Sequence, residues 1–260
     1  MSAPAARATG RLILIPNSLD LGADPTELPP LTDVLAPGVL HMAAALEHWV
    51  VENAKTARAF LKRVHAVTPL AHSLQALNIV ELPRPAKGAP ARTPPPMRPL
   101  LAPALAGHDL GLLSEAGLPA VADPGAALVL EAHAAGIPVV ALPGPSALLL
   151  ALAASGLNGQ SFAFVGYLPT DAAARATRLR ELEAGSRQGH QTQIFIETPY
   201  RNTALLQALV EGLQPTTWLS VSCGLTLPAG FTRTDRVLAW RQRPATLPGD
   251  SPAVFALLAT

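Results

Sequence analysis

The stretch from Leu112 to Ala147 constrains this chain more than any other. It begins as a strand running into Ser114-Glu115-Ala116-Gly117-Leu118-Pro119, followed by Asp123-Pro124-Gly125 and a helix-like segment that stops at Gly136. Ile137 to Leu142 forms the next strand, and Pro143-Gly144-Pro145-Ser146-Ala147 turns into a second apolar helix. Strand, loop and helix alternate, with Gly and Pro at the carboxyl end of each strand. That pattern predicts an open α/β sheet, which places its ligands at those ends.

The remaining segments extend the alternation. Arg11 to Ile15 is an apolar run stopped by Pro16, and Asn17-Ser18-Leu19-Asp20 is a polar turn that either satisfies backbone amides or faces a ligand. Trp49 to Val51 reads as a second strand. Behind it a helix begins near Glu52, whose apolar positions Ala57, Phe60, Leu61 and Val64 recur at helical spacing. Glu52, Asn53, Lys55 and Arg58 then cluster at a strand end, either as a solvated helix start or as a substrate-side group. From Pro83 to Pro103 eight of 21 residues are proline, which predicts an extended loop. Its charges, Arg84, Lys87, Arg92 and Arg98, are all basic and suit either a plain connection or contact with phosphates.

The second half reads as strands at Phe162–Pro169, Thr192–Ile196, Trp218–Cys223 and Pro252–Leu258, with helices at 171–186 and 202–213 and a β-hairpin arm at Phe231–Trp240. Two α/β domains, 1–143 and 144–260, are the economical division of 260 residues.

Hydrophobic residues make up 49% and charged residues 14%, enough apolar surface for a large core. A net charge of +1 gives no global argument for nucleic acid or membrane. The single Cys223 excludes an intrachain disulfide and a cysteine-only zinc site, and no metal is expected. Leu148 to Ala154 is far too short to span a bilayer and is expected to be a buried helix. A cytoplasmic protein is the expectation. Neither GxGxxG nor a Walker A sequence is present, which argues against the two commonest nucleotide loops.

Three segments together carry a family resemblance. Ser114-Glu115-Ala116-Gly117-Leu118-Pro119 with Asp123-Pro124-Gly125, then Pro143-Gly144-Pro145-Ser146-Ala147, then Phe195-Ile196-Glu197-Thr198-Pro199-Tyr200-Arg201 resemble the tetrapyrrole methylase superfamily of S-adenosyl-L-methionine-dependent methyltransferases. Within it the chain is most similar to the ribosomal RNA small subunit methyltransferase I branch, which methylates a ribose 2′-hydroxyl. The resemblance implies two α/β domains with S-adenosyl-L-methionine in a cleft between them, usually as a homodimer. It places Pro16, Ser114, Glu115, Ala116, Gly117, Pro119, Ser146, Ala147, Glu197, Leu225, Pro252 and Ala253 against the cofactor. It places Asn17, Glu52, Lys55, Arg58 and Arg201 on the substrate side, with ribosomal RNA as the implied partner.

The departures concentrate on that substrate side. Glu115 replaces an aspartate, Glu52-Asn53-Ala54-Lys55 stands where the branch has E-D-T-R, and Ser222-Cys223-Gly224-Leu225-Thr226 stands where it has A-R-E-[LI]-T. Gly249-Asp250 replaces its near-terminal G-E. The donor side is therefore better kept than the acceptor side. This leaves open a tetrapyrrole or other small-molecule acceptor, or a non-catalytic relative that still binds the cofactor. A hydroxyl acceptor also needs its proton removed. Glu52, Lys55, Asp20 and Glu197 are the candidate groups, and no spacing singles out one of them.

Overall fold

The computed structural model describes residues 9–20, 23, 28–83, 95–249 and 251–260. The basic positions Arg84, Lys87 and Arg92, and Asp250 near the terminus, lie outside the described residues. The chain forms two compact units that part between Pro145 and Ser146.

In the first unit, β1 (Leu12–Ile15), β2 (His48–Val51), β3 (Asn78–Glu81), β4 (Leu110–Leu113) and β5 (Val139–Ala141) make one sheet in the order β3-β2-β4-β1-β5. Every pairing in it is parallel. A parallel sheet is covered on both faces, which explains why β4 is buried at all four positions. One face packs Ile13, Ile15, Trp49 and Leu113 under α1 (Pro37–Ala45) and α2 (Ala54–Val67). The other packs Leu12, Val50, Leu110 and Leu112 under α3 (Ala102–Leu105) and α4 (Ala126–Ala134). Asn53 caps α2 by accepting from the Lys55 and Thr56 amides, a contribution of about 1 kcal/mol.

The topology fixes where a ligand belongs. After β1 the chain crosses β4 to build β2, whereas after β4 it crosses β1 to build β5. Two adjacent strands whose connections leave in opposite directions open a crevice at their carboxyl ends. Here those ends are Pro16-Asn17 and Ser114–Pro119.

In the second unit, β6 (Phe162–Tyr167), β7 (Thr192–Glu197), β8 (Trp218–Cys223), β9 (Phe231–Arg236) and β10 (Ala253–Leu258) form a mixed sheet, β6-β7-β10-β8-β9. Only β6 and β7 run parallel. The closing strand is thus central, with all six residues buried. One face carries α6 (Ala172–Gly189), α7 (Asn202–Gly212) and α8 (Val237–Gln242) over stacked Phe195 and Phe255, whose ring centroids are 5.8 Å apart. The other carries α5 (Ala147–Ser155) over Ile194, Val254 and Ala256.

Three expectations change. Phe231–Trp240 is a hairpin arm only as far as Arg236: β9 pairs antiparallel with β8, and Val237 then opens α8 as its amide donates to the Thr217 carbonyl. The proline-rich segment is not wholly extended, because Arg98–Leu101 is a 3-10 turn leading into α3, with proline near the start of each. Helix α5 is buried on one face only: Leu149 is 52% and Leu150 38% exposed. Among the described residues no helix is long and apolar enough to cross a membrane.

Candidate active site

The crevice of the first unit is held shut at its base by main-chain and amide bonds. Asn17 Nδ2 donates to the Ser114 carbonyl at 3.1 Å and to the Glu115 carbonyl at 3.0 Å. Asn17 Oδ1 accepts from the Ser18 amide at 2.9 Å, and the Asn17 amide donates to the Gly117 carbonyl at 2.8 Å. The Asn17 side chain therefore ties the loop after β1 to the loop after β4 and is occupied in doing so. Pro16 lies against Gly144, where an added Cβ would stand 2.1 Å from Pro16 Cβ. The Pro143-Gly144-Pro145 turn needs glycine at its centre for that reason.

Ser114, Gly117 and Pro119 are buried, while Glu115 and Ala116 are partly exposed. The loop from Ala116 to Gly125 departs from ordinary backbone at Ala120 and Ala122, with φ of 66° and 64°. Non-glycine residues in the left-handed region cost about 1 kcal/mol or more each and persist only where surrounding structure holds them. Glu52 Oε2 accepts from the Glu115 amide at 3.0 Å. Lys55 and Arg58 are exposed on the first turns of α2, and Glu81 accepts from the Ala54 amide at 2.7 Å.

Asp123 belongs to the Asp123-Pro124-Gly125 motif, and nothing in the sequence assigns it a role. Burial, then the charges of Glu52 and Glu115, push its carboxyl up to about 7. Asp20, a candidate base, is instead committed to Arg63 at 2.8 Å and to the Ser18 hydroxyl at 2.7 Å.

In the second unit Glu197, Ala253 and Cys223 stand side by side across β7, β10 and β8. Glu197 Oε1 accepts from the Thr198 amide at 2.7 Å and from Arg201 Nη2 at 2.7 Å, so this carboxylate too is engaged. Ala147, at the start of α5, and Leu225, in the turn after β8, pack on one apolar cluster with Leu148 and Leu152. Ser146 precedes α5, buried, and its hydroxyl does not cap the helix. Pro252 is exposed at the start of β10.

Two of these segments carry buried hydroxyls that find no partner among the described residues: Ser114 Oγ in the first unit and Thr226 Oγ1, beside Leu225, in the second. An unpartnered buried hydroxyl costs about 1–3 kcal/mol, so each marks a donor kept for something other than the chain. S-adenosyl-L-methionine, with a carboxylate and two hydroxyls to satisfy, suits such donors. Among the described residues no group of three or more His, Cys, Asp or Glu is placed to hold a metal.

Known proteins bear on this arrangement at two levels. A 109-residue segment is 43% identical to ribosomal RNA small subunit methyltransferase I of Vibrio cholerae, covering 42% of this chain and 36% of that protein. A 114-residue segment is 47% identical to the protein of the same name from Mesorhizobium japonicum, covering 44% and 37%. These matches thus span little more than a third of the relatives' own length. Over nearly the whole chain the fold is similar to solved structures. Uroporphyrin-III-C-methyltransferase of Thermus thermophilus has a TM-score of 0.50 at 21% identity, covering 96% of this chain and 92% of that one. A conserved hypothetical protein of Aeropyrum pernix K1 has a TM-score of 0.57 at 19% identity, covering 96% and 85%. At these identities the likeness speaks for the fold alone. The family model of the tetrapyrrole (corrin/porphyrin) methylases matches residues 56–229, well over half of the sequence, and the chain belongs to that family.

Proposed function

We propose that this protein is an S-adenosyl-L-methionine-dependent methyltransferase whose acceptor is a ribose 2′-hydroxyl of small-subunit ribosomal RNA. The observation that carries the reading is the crevice at the ends of β1 and β4, lined by Ser114–Pro119 and bearing an unpartnered buried donor, in a chain of the methylase family. Bound S-adenosyl-L-methionine supplies a methyl group already activated by its sulfonium. The chain's share is alignment of donor and acceptor, an effect that can supply several kcal/mol, up to roughly 10.

Ser114, Glu115, Ala116, Gly117, Pro119 and Pro16 contribute from domain 1–143. Ser146, Ala147, Glu197, Leu225, Pro252 and Ala253 contribute from domain 144–260. The RNA acceptor rests on the names of the two relatives and on exposed Lys55 and Arg58 beside the crevice. The protein works in the cytoplasm as a homodimer. The apolar side chains that the second unit leaves exposed, Leu149 at 52%, Phe162 at 42% and Tyr167 at 55%, support a second copy covering them.

Transfer of a labelled methyl group to unmethylated small ribosomal subunits tests the reading. Incorporation that maps to a ribose 2′-oxygen, with RNA affinity falling as salt rises, is the expected result. Label passing only to a tetrapyrrole or another small molecule overturns the RNA acceptor. No transfer to any acceptor leaves a cofactor-binding relative.

A further inference from the structure

Three carboxylates converge at the carboxyl edge of the first sheet, and each arrives by a different route. Val50 and Leu112 pack together on the α4 face. The Glu52 amide donates to the Leu113 carbonyl at 3.0 Å, which carries the β2–β4 ladder one residue past its end. By the alternation of a strand, Glu52 and Ser114 then follow Val50 and Leu112 onto that same face. Asp123 comes from the loop that enters α4, held between the left-handed residues Ala122 and Gly125.

The three acids differ in what they are free to do. Glu52 is fixed by the Glu115 amide, and among the described residues Asp123 forms no ion pair. The charged groups acting on Asp123 are Glu52 from the end of β2 and Glu115 from the loop after β4, both negative. On α4 the titratable groups are Glu131 and His133, in its later half, and Glu131 pairs with Arg98. From the loop after β1, Asp20 is neutralised by Arg63. Beside this cluster Ser114, 3% exposed, keeps its hydroxyl without a partner.

We propose that Asp123 is the general base of the reaction, taking the proton of a hydroxyl acceptor that docks at this edge beside Ser114. The inference rests on the methyltransferase reading and adds the residue that reading lacks. The balance is simple. The acceptor's O–H bond breaks as its oxygen bonds the methyl carbon, the methyl–sulfur bond breaks with its electron pair staying on sulfur, and the proton passes to the Asp123 carboxylate. Asp123 is partly exposed, so it can return that proton to water. Its raised affinity for protons suits the task, because a base works best when its pKa lies near the working pH. Asp20 and Glu197 are each already paired with an arginine.

The test uses the full chain with wild type, Asp123→Asn and Asp123→Glu. Calorimetry first measures S-adenosyl-L-methionine binding, where Asp123→Asn is expected within about twofold of wild type, since the inference gives Asp123 no part in holding the cofactor. Single-turnover transfer to unmethylated small ribosomal subunits is then followed from pH 5.5 to 9. Wild type is expected to gain rate up to about pH 7 and level off. Asp123→Asn should be slower by about 10²–10⁴-fold without that limb, and Asp123→Glu should recover part of the loss. Carbon NMR of the free protein should show one carboxyl titrating near 7 that is absent from Asp123→Asn. Full activity in Asp123→Asn with an unchanged pH profile, or methylation at carbon or nitrogen, overturns the inference while leaving the methyltransferase reading intact. Failure of wild type to bind the cofactor overturns both.

Discussion

Asp123→Asn should make the first unit more stable above neutral pH. The carboxyl is raised from its ordinary 3.8 to about 7, mainly by burial and then by Glu52 and Glu115. A group whose folded pKa is raised contributes its full stability below its unfolded value, near pH 4. It loses that contribution as pH climbs through about 7. Taken at face value the shift corresponds to about 4 kcal/mol. Asp123 is partly solvated, so screening reduces this to about 1–2 kcal/mol. Asparagine has nearly the same shape and no charge to bury. The difference between variant and wild type should therefore be near zero at pH 4, grow between pH 4 and 7, and stay at about 1–2 kcal/mol above that. Amide hydrogen exchange at Leu110–Leu113, compared between the two proteins at each pH, reads the opening of this sheet without interference from the second unit. A variant less stable than wild type at pH 8, or a difference that does not change with pH, would refute the account of the carboxylate cluster.

Other substitutions probe the scaffold around it. Gly144→Ala drives a methyl group into Pro16 and should cost about 1–3 kcal/mol by urea unfolding. Asn17→Ala removes the amide that joins the two loops and should cost about 2 kcal/mol. The same change should loosen exchange at the Gly117 amide, which donates to the Ser18 carbonyl. In the second unit, buried Glu183 accepts from the Gln214 amide and the Thr217 hydroxyl, so Glu183→Ala should cost about 2–4 kcal/mol with cofactor binding unchanged.

Much of the first unit was legible because its signals are local. Leu110–Leu113 is an apolar run, Gly136 ends a helix, and Pro143-Gly144-Pro145 cannot continue a strand. What stayed hidden depends on contacts distant in sequence. Asn78–Glu81 is a strand only because it pairs with β2, and three of its four residues are exposed. The residues after Arg236 become helical because Trp240 is buried, with its indole donating to the Leu219 carbonyl. The site divides in the same way. The segment Ser114–Pro119 could be read as a strand-end loop, but Asn17 gave no sign that its amide would be used up by the Ser114 and Glu115 carbonyls. Glu52, Glu115 and Asp123 look like three unrelated acids until the β2–β4 pairing joins the first two and the loop into α4 brings Asp123 within reach of their charges.

The central claim is that these strand ends hold S-adenosyl-L-methionine. Isothermal titration of the whole chain with S-adenosyl-L-methionine, repeated with Ser114→Ala, tests it most directly. The account expects saturable binding at one cofactor per chain, weakened about 5- to 20-fold by the loss of the Ser114 donor. No heat of binding with the folded wild-type protein, or wild-type affinity in Ser114→Ala, would contradict it.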